Sequence, residues 1–142
     1  MSNKHSAFEG IKVLDLSTRL SGAWAARLFG DFGAEVLLPE TDDGHFTRNC
    51  APFFDVQGVN KSLIHEYVNW NKTSTCADEG HVAALIPAAD IVVTTQPSDL
   101  IEHLDIQSIH LSITPHGLSG PWSAIDGNDL THSANSGWAM IN

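Results

Sequence analysis

The sequence predicts an α/β fold built on a mostly parallel sheet with helices on both faces. The first observation is the run Ile11-Lys12-Val13-Leu14-Asp15-Leu16, short, apolar and rich in β-formers, as a buried parallel strand requires. The second is the succession of elements after that run: a turn at 17–22, a helix over about 23–32, and an apolar strand at 34–38. In that helix Trp24, Leu28, Phe29 and Phe32 recur at helical spacing and make one face. The third is continued alternation: a helix at 77–88 with Val82, Leu85, Ile86 and Ala89 on one face, the β-branched strand Ile91-Val92-Val93, and a strand at 106–114. Such βαβ units cross over right-handed and place their strands side by side in parallel. The opening is Rossmann-like.

Gly33 ends the first helix as its C-terminal cap. Residues 39–75 are less regular and read as a long loop with a short helix at 62–68, holding Asp42-Asp43-Gly44, Ala51-Pro52-Phe53-Phe54 and Gly58. A loop this long in a compact domain is usually functional or mobile. Pro97-Ser98-Asp99 opens a short helix to about Leu104, with Ser98 as N-cap. Residues 117–121 form a turn, and the last helix covers 130–141 with Leu130, Ala134, Trp138 and Ile141 in register. The 142 residues suit one domain, so 1–142 reads as a single Rossmann-like portion.

Composition narrows the function. A net charge of −10 argues against nucleic acid and against an anionic membrane surface, and sits awkwardly with any anionic ligand. The N-terminus MSNKHSAFEG has no apolar core of a secretory signal, and no apolar run approaches the ~18 residues of a membrane span, so the expectation is cytoplasmic. Cys50 and Cys76 then read as reduced thiols. The eight histidines form no HxxxH or HExxH pattern and the cysteines no CxxC, which argues against a metal site. The GxSxG elbow of serine hydrolases is absent too.

Ligands of parallel sheets bind at the carboxyl ends of the strands. The turn Ser17-Thr18-Arg19-Leu20-Ser21-Gly22 lies at such an end and feeds a helix N-terminus, where free N–H groups and the helix dipole favour a phosphate or carboxylate. An ordinary turn capped by Ser21 explains the same residues and carries more weight on sequence alone. Asn69-Trp70-Asn71-Lys72-Thr73-Ser74 joins polar donors, an aromatic and a cation, which suits a ligand or an exposed loop equally. Gly117-Leu118-Ser119-Gly120-Pro121 permits close backbone approach or a tight turn. Asp15, at a strand end, is placed to fix the turn after it.

Taken together, these segments resemble one family. Residues 8–17, FEGIKVLDLS, are similar to L-x-G-x-x-V-L-D-L-S, and residues 24–40, WAARLFGDFGAEVLLPE, to W-A-A-x-x-L-A-D-L-G-A-E-V-I-K-V-E. Residues 67–74, YVNWNKTS, are similar to Y-L-x-x-N-K-R-S, and residues 88–104 to A-A-D-V-V-V-E-N-F-R-P-G-V-L-E-R-L. Residues 112–137, SITPHGLSGPWSAIDGNDLTHSANSG, are similar to S-I-T-G-F-G-x-x-G-P-x-x-x-x-x-G-Y-D-x-x-x-Q-A-x-S-G. Nearly the whole chain thus resembles the N-terminal part of the family III CoA-transferases, the CaiB/BaiF family of formyl-CoA transferase, carnitine-CoA transferase and α-methylacyl-CoA racemase.

The resemblance implies a Rossmann-like large domain, incomplete here, and transfer of CoA between carboxylic acids. An aspartate would attack the acyl-CoA thioester and split the exchange into two covalent steps. It would stand in a G-D motif beyond the last segment matched, so no catalytic residue is assigned within this chain. Asp129 matches a different acid, and Asn128 stands where the racemases carry a catalytic histidine. By position, CoA contacts fall on Thr18, Arg19, Leu20 and Ser21, on Asn71 and Lys72, on Thr95 and Gln96, and on His103. Several basic residues of the family pattern are replaced, at Leu38, Thr41, Thr73 and His103 among others, which weakens any phosphate site. The strand that follows N-K-R-S is shortened or lost, since Thr75-Cys76-Ala77-Asp78 runs almost directly into a helix. The implied partners are acyl-CoA, a carboxylic acid, and a second copy or the rest of a longer chain. The alternative is a degenerate, non-catalytic scaffold or dimerisation half of a tandem transferase.

Overall fold

The computed structural model describes residues 6–96 and 108–141. The chain divides into one unit at Met1–Ser112 and another at Ile113–Asn142. In chain order the first holds β1 Lys12–Asp15, α1 Leu20–Asp31, β2 Glu35–Glu40, a 3-10 turn at Phe46–Asn49, β3 Phe53–Val56 and β4 Val59–Ser62. It continues with α2 Leu63–Asn69, β5 Lys72–Cys76, α3 Glu79–Leu85, a 3-10 turn at Ile86–Ala88, β6 Ile91–Thr94 and β7 Ile109–Ser112.

Five strands form one sheet in the order β5-β2-β1-β6-β7, every neighbouring pair parallel. The chain winds outward from β1 through β2 to β5, then crosses back to β6 and β7. The winding reverses between β1 and β6, the switch point where open parallel sheets place their ligands. The predicted fold class is therefore present. Strand side chains alternate between the faces. Leu14 and Val92 are buried with Ile86, against Leu85 and Ala89, at the end of the α3 segment. Asp15 points the other way and meets Lys72, which also reaches the Ala23 carbonyl of α1.

Helix α1 corrects the sequence reading in two ways. It starts at Leu20, three residues earlier than expected, with Arg19 at its N-cap. Its buried positions are Gly22, Ala23 and Ala26, whereas Trp24, Leu28 and Phe32 remain 39%, 42% and 56% exposed. Periodicity finds an apolar stripe but does not say which stripe meets the sheet. Here the close approach selects the small one: a Cβ on Gly22 would lie 2.4 Å from Ser17 Cβ and 2.5 Å from Thr95 Cγ2. The helix end matches expectation. Gly33 adopts φ +98° and donates to the Gly30 carbonyl, and Ala34 donates to Phe29, the paired bonds of a Schellman cap.

Residues 39–75 are more ordered than a loop. β3 and β4 form a hairpin closed by Gln57 and Gly58, both at positive φ, which matches the twist of the strands. Ser62 caps α2 by accepting from the His65 amide at 3.1 Å. The strand expected to be shortened or lost is present as β5, paired with β2 from Val36↔Lys72 to Glu40↔Cys76. Its polar sequence, KTSTC, disguised it because an edge strand need not alternate strictly. Pro39 is tolerated in β2 because it lies beyond the last pairing with β1, Leu14↔Leu37.

The helix predicted at 77–88 is α3 plus the 3-10 turn that contains Pro87, capped at its start by Asp78. The helix predicted at 98–104 and the start of the strand predicted at 106–114 lie outside the described residues, and the strand is described at Ile109–Ser112. In the second unit the single helix predicted at 130–141 is two, α4 Asp129–Asn135 and α5 Trp138–Ile141. Gly137 at φ +80° breaks it. Asn128, the position of the racemase histidine, caps α4 and forms a capping box with Thr131.

Candidate functional site

A cleft of about 460 Å³ opens at the carboxyl ends of β1, β2 and β6. Its lining comes from the end of β1 and the turn after it (Asp15, Leu16, Ser17, Thr18), the end of β2 (Pro39, Glu40, Thr41), the following segment (Gly44, His45, Phe46), the approach to α3 and its first turn (Ala77, Glu79, Val82), Thr94 at the end of β6 and Gln96 beyond it. This is the switch point of the sheet, where the topology predicts a ligand.

Three groups of hydrogen bonds hold the walls. Asp15 accepts from the Ser17 amide at 3.0 Å, as its position at the strand end suggested. The Thr18 amide donates to Thr95 Oγ1 at 2.8 Å, tying the β1–α1 turn to β6. Glu40 forms a two-pronged pair with Arg48, both bonds at 2.6 Å, accepts from the His45 amide at 2.7 Å and bonds to the Ser74 hydroxyl. The Arg48 guanidinium holds the Glu40 carboxyl down at about 2, from 4.5, against the opposing effect of burial.

Behind the cleft lies a buried polar chain. His45 Nε2 faces the Ser17 carbonyl at 3.0 Å, and its Nδ1 faces Thr47 Oγ1 at 2.7 Å. A carbonyl only accepts, so a neutral His45 carries its proton on Nε2, and the single Thr47 hydroxyl proton goes to Nδ1. Thr47 Oγ1 in turn accepts from Asn69 Nδ2 at 3.1 Å and lies 2.8 Å from His65 Nδ1. Burial pushes both histidines below the usual imidazole range, which favours the neutral rings this pattern needs. Asn69 Oδ1 accepts from Lys72 Nζ at 2.7 Å, and Lys72 reaches Asp15 Oδ2 at 2.7 Å and the Ala23 carbonyl at 2.8 Å. All three N–H bonds of that ammonium are thus matched, with 1% of its side chain exposed. Burial pulls the Lys72 pKa below the usual lysine range while Asp15 pulls it back.

The structure brings part of the predicted set together. Thr18 and Gln96 line the cleft, and Thr95 is buried behind Thr18. Arg19, Leu20 and Ser21 begin α1, with Leu20 and Ser21 exposed, and none of the three is among the cleft-lining residues. Asn71 lies at the amino end of β5 and donates to the Arg27 carbonyl and Asp31 of α1. Lys72 is sealed inside the fold. His103 lies outside the described residues. Sequence reasoning missed Glu40, His45, Thr47, His65 and Asn69 as parts of one network. The available signal was the polar stripe Ser62, His65, Asn69 at helical spacing on α2.

Asp15 and Glu40 are neutralised by Lys72 and Arg48, and both nitrogens of His45 are engaged. Among the described residues, no group of three His, Cys, Asp or Glu side chains is placed to hold a metal ion. Cys50 and Cys76 are not joined in a disulfide, and no described helix is long and apolar enough to cross a membrane.

Comparison with known proteins gives consistent matches. The family model for CoA-transferase family III matches residues 8–142. Succinyl-CoA:(R)-benzylsuccinate CoA-transferase subunit BbsE of Thauera aromatica is 31% identical over 94% of this chain and 37% of its own length. The human succinyl-CoA:glutarate CoA-transferase is 32% identical over 98% of this chain and 35% of its own length. A crystal structure of a CAIB/BAIF family protein from Brucella suis superposes with a TM-score of 0.82 at 28% identity, covering 94% of this chain and 40% of that one. The chain therefore spans well under half the length of these relatives.

Proposed function

Because the chain belongs to CoA-transferase family III, we propose that its cleft forms one wall of an acyl-CoA site in an enzyme that moves CoA between carboxylic acids. The observation that carries this reading is the position of the cleft at the switch point, lined by Thr18 and Gln96 from the predicted contact set. Ser17, Thr18, Thr94 and Gln96 would hold the thioester ligand, and the buried chain behind them would keep the β1–α1 turn in place. The implied nucleophilic aspartate stands beyond the residues matched, so these 142 residues alone give no turnover. The exposed Trp24, Leu28 and Phe32 suit cover by a second copy or by the rest of a longer chain. The two free thiols suit a cytoplasmic setting.

The test is calorimetric titration of acyl-CoA into this chain and into a Thr18→Trp variant, which fills the cleft. Saturable binding that the variant loses is the expected result. Equal binding by both proteins moves the ligand elsewhere, and clear transferase turnover by the unmodified chain overturns the division of labour.

A second reading, a scaffold without ligand, is favoured by one observation: among the described residues that line the cleft there is no lysine or arginine. Under it, acyl-CoA produces no heat at all.

A further inference from the structure

The cleft has an electrostatic character that its family membership does not explain. Among the described residues its lining includes Asp15, Glu40 and Glu79 but no lysine or arginine. Nor does the later part of the sequence supply one. After Lys72 the sequence contains no lysine or arginine, so residues 97–107 and the second unit bring none. Lys72 and Arg48 are engaged by residues of the cleft walls, Asp15 and Glu40, and Arg19, which follows Thr18, is not among the lining residues. Arg27 pairs with Asp31 and lies over the Trp24 and Tyr67 rings. Two turn amides that could cradle a phosphate are also occupied, Ser17 N–H by Asp15 and Thr18 N–H by Thr95.

Resting on the reading of the cleft as a thioester site, we infer that it selects the uncharged, amide-bearing pantetheine arm and makes no use of the nucleotide phosphates. What the lining does offer suits that arm. Thr18, Thr41 and Gln96 supply neutral donors and acceptors for amides, and Leu16, Phe46 and Val82 supply apolar surface for the methylenes. A phosphate dianion would meet Glu79 and the field of a chain with net charge −10.

Calorimetry on the full chain with acetyl-CoA and with S-acetyl-pantetheine, which carries no phosphate, decides the matter. The two are expected to bind within about threefold of each other, with acetyl-CoA affinity nearly flat between about 0.05 and 0.5 M salt. Replacing the lining acid by a cation through Glu79→Lys is expected to raise acetyl-CoA affinity about tenfold and leave S-acetyl-pantetheine unchanged. If acetyl-CoA binds the unmodified chain more than about tenfold tighter and loses that advantage in salt, the inference fails while the thioester site stands. If neither ligand binds, the thioester site itself is overturned, and the inference with it.

Discussion

Lys72 is the first residue of β5, yet its ammonium is bonded to Asp15, Asn69 and the Ala23 carbonyl. Its place in the N-K-R-S-like motif suggested a ligand contact. The sequence could not show otherwise, because Asp15 is 57 residues away and only the pairing of β5 beyond β2 brings the two together. A buried pair adds little net stability over an apolar pair of the same shape, but removing one partner strands the other charge. Lys72→Ala is therefore expected to destabilise the fold by about 3–5 kcal/mol in urea denaturation. A loss below about 1 kcal/mol, as exposed ion pairs give, would return Lys72 to a ligand-facing role. Asp15 shows the opposite case: its task of fixing the Ser17 amide is local, two residues away, and was legible from position alone.

At the level of elements, local signals were read well and long-range ones poorly. Gly33 as a cap needs only the neighbouring turn, and the structure confirms it. The exposed apolar face of α1 depends on what the helix packs against, and spacing cannot supply that. The polar strand β5 was hidden for the same reason, since a sheet edge is defined by its one neighbour. Gly22 packs α1 closely against Ser17 and Thr95, the residues that follow β1 and β6. Gly22→Ala would favour the isolated helix by about 1 kcal/mol, but its methyl would fall within 2.5 Å of both Ser17 and Thr95 carbons. Overpacking of that kind costs about 1–3 kcal/mol, so the clash wins. The variant should melt at lower temperature and, by displacing Thr18 from Thr95, bind acyl-CoA more weakly. A variant as stable as the parent would show that the turn yields without strain.

Over the whole molecule, charge and burial set the response to pH. The net −10 was legible from composition, but its consequence for the cleft was not, because Lys72 and Arg48 had to be located before their engagement was evident. His45 and His65 have folded pKa values below the unfolded value of 6.5, both mainly through burial. The unfolded chain therefore binds more protons as pH falls through 6.5, and stability drops there. Glu40 adds a second step. Its contribution is complete above 4.5 and is lost as pH falls toward about 2. Between about pH 6.5 and 5 most carboxylates remain ionised, so the histidines set the sign in that window. Urea midpoints should fall steadily from pH 7 to about 5 and more steeply below about 4.5. Flat midpoints across the first interval would mean that the buried rings already carry protons.

The enclosure of Lys72 also has a consequence for chemical reactivity. Amine-acylating reagents need an unprotonated, accessible nitrogen, and this one is bonded on every N–H with 1% of its side chain exposed. Lys12 and Lys61 are exposed and record only the time spent in reagent. Acylation of Lys72 instead waits for the edge of the sheet to part from α2, so its labelling rate is a clock for that local opening.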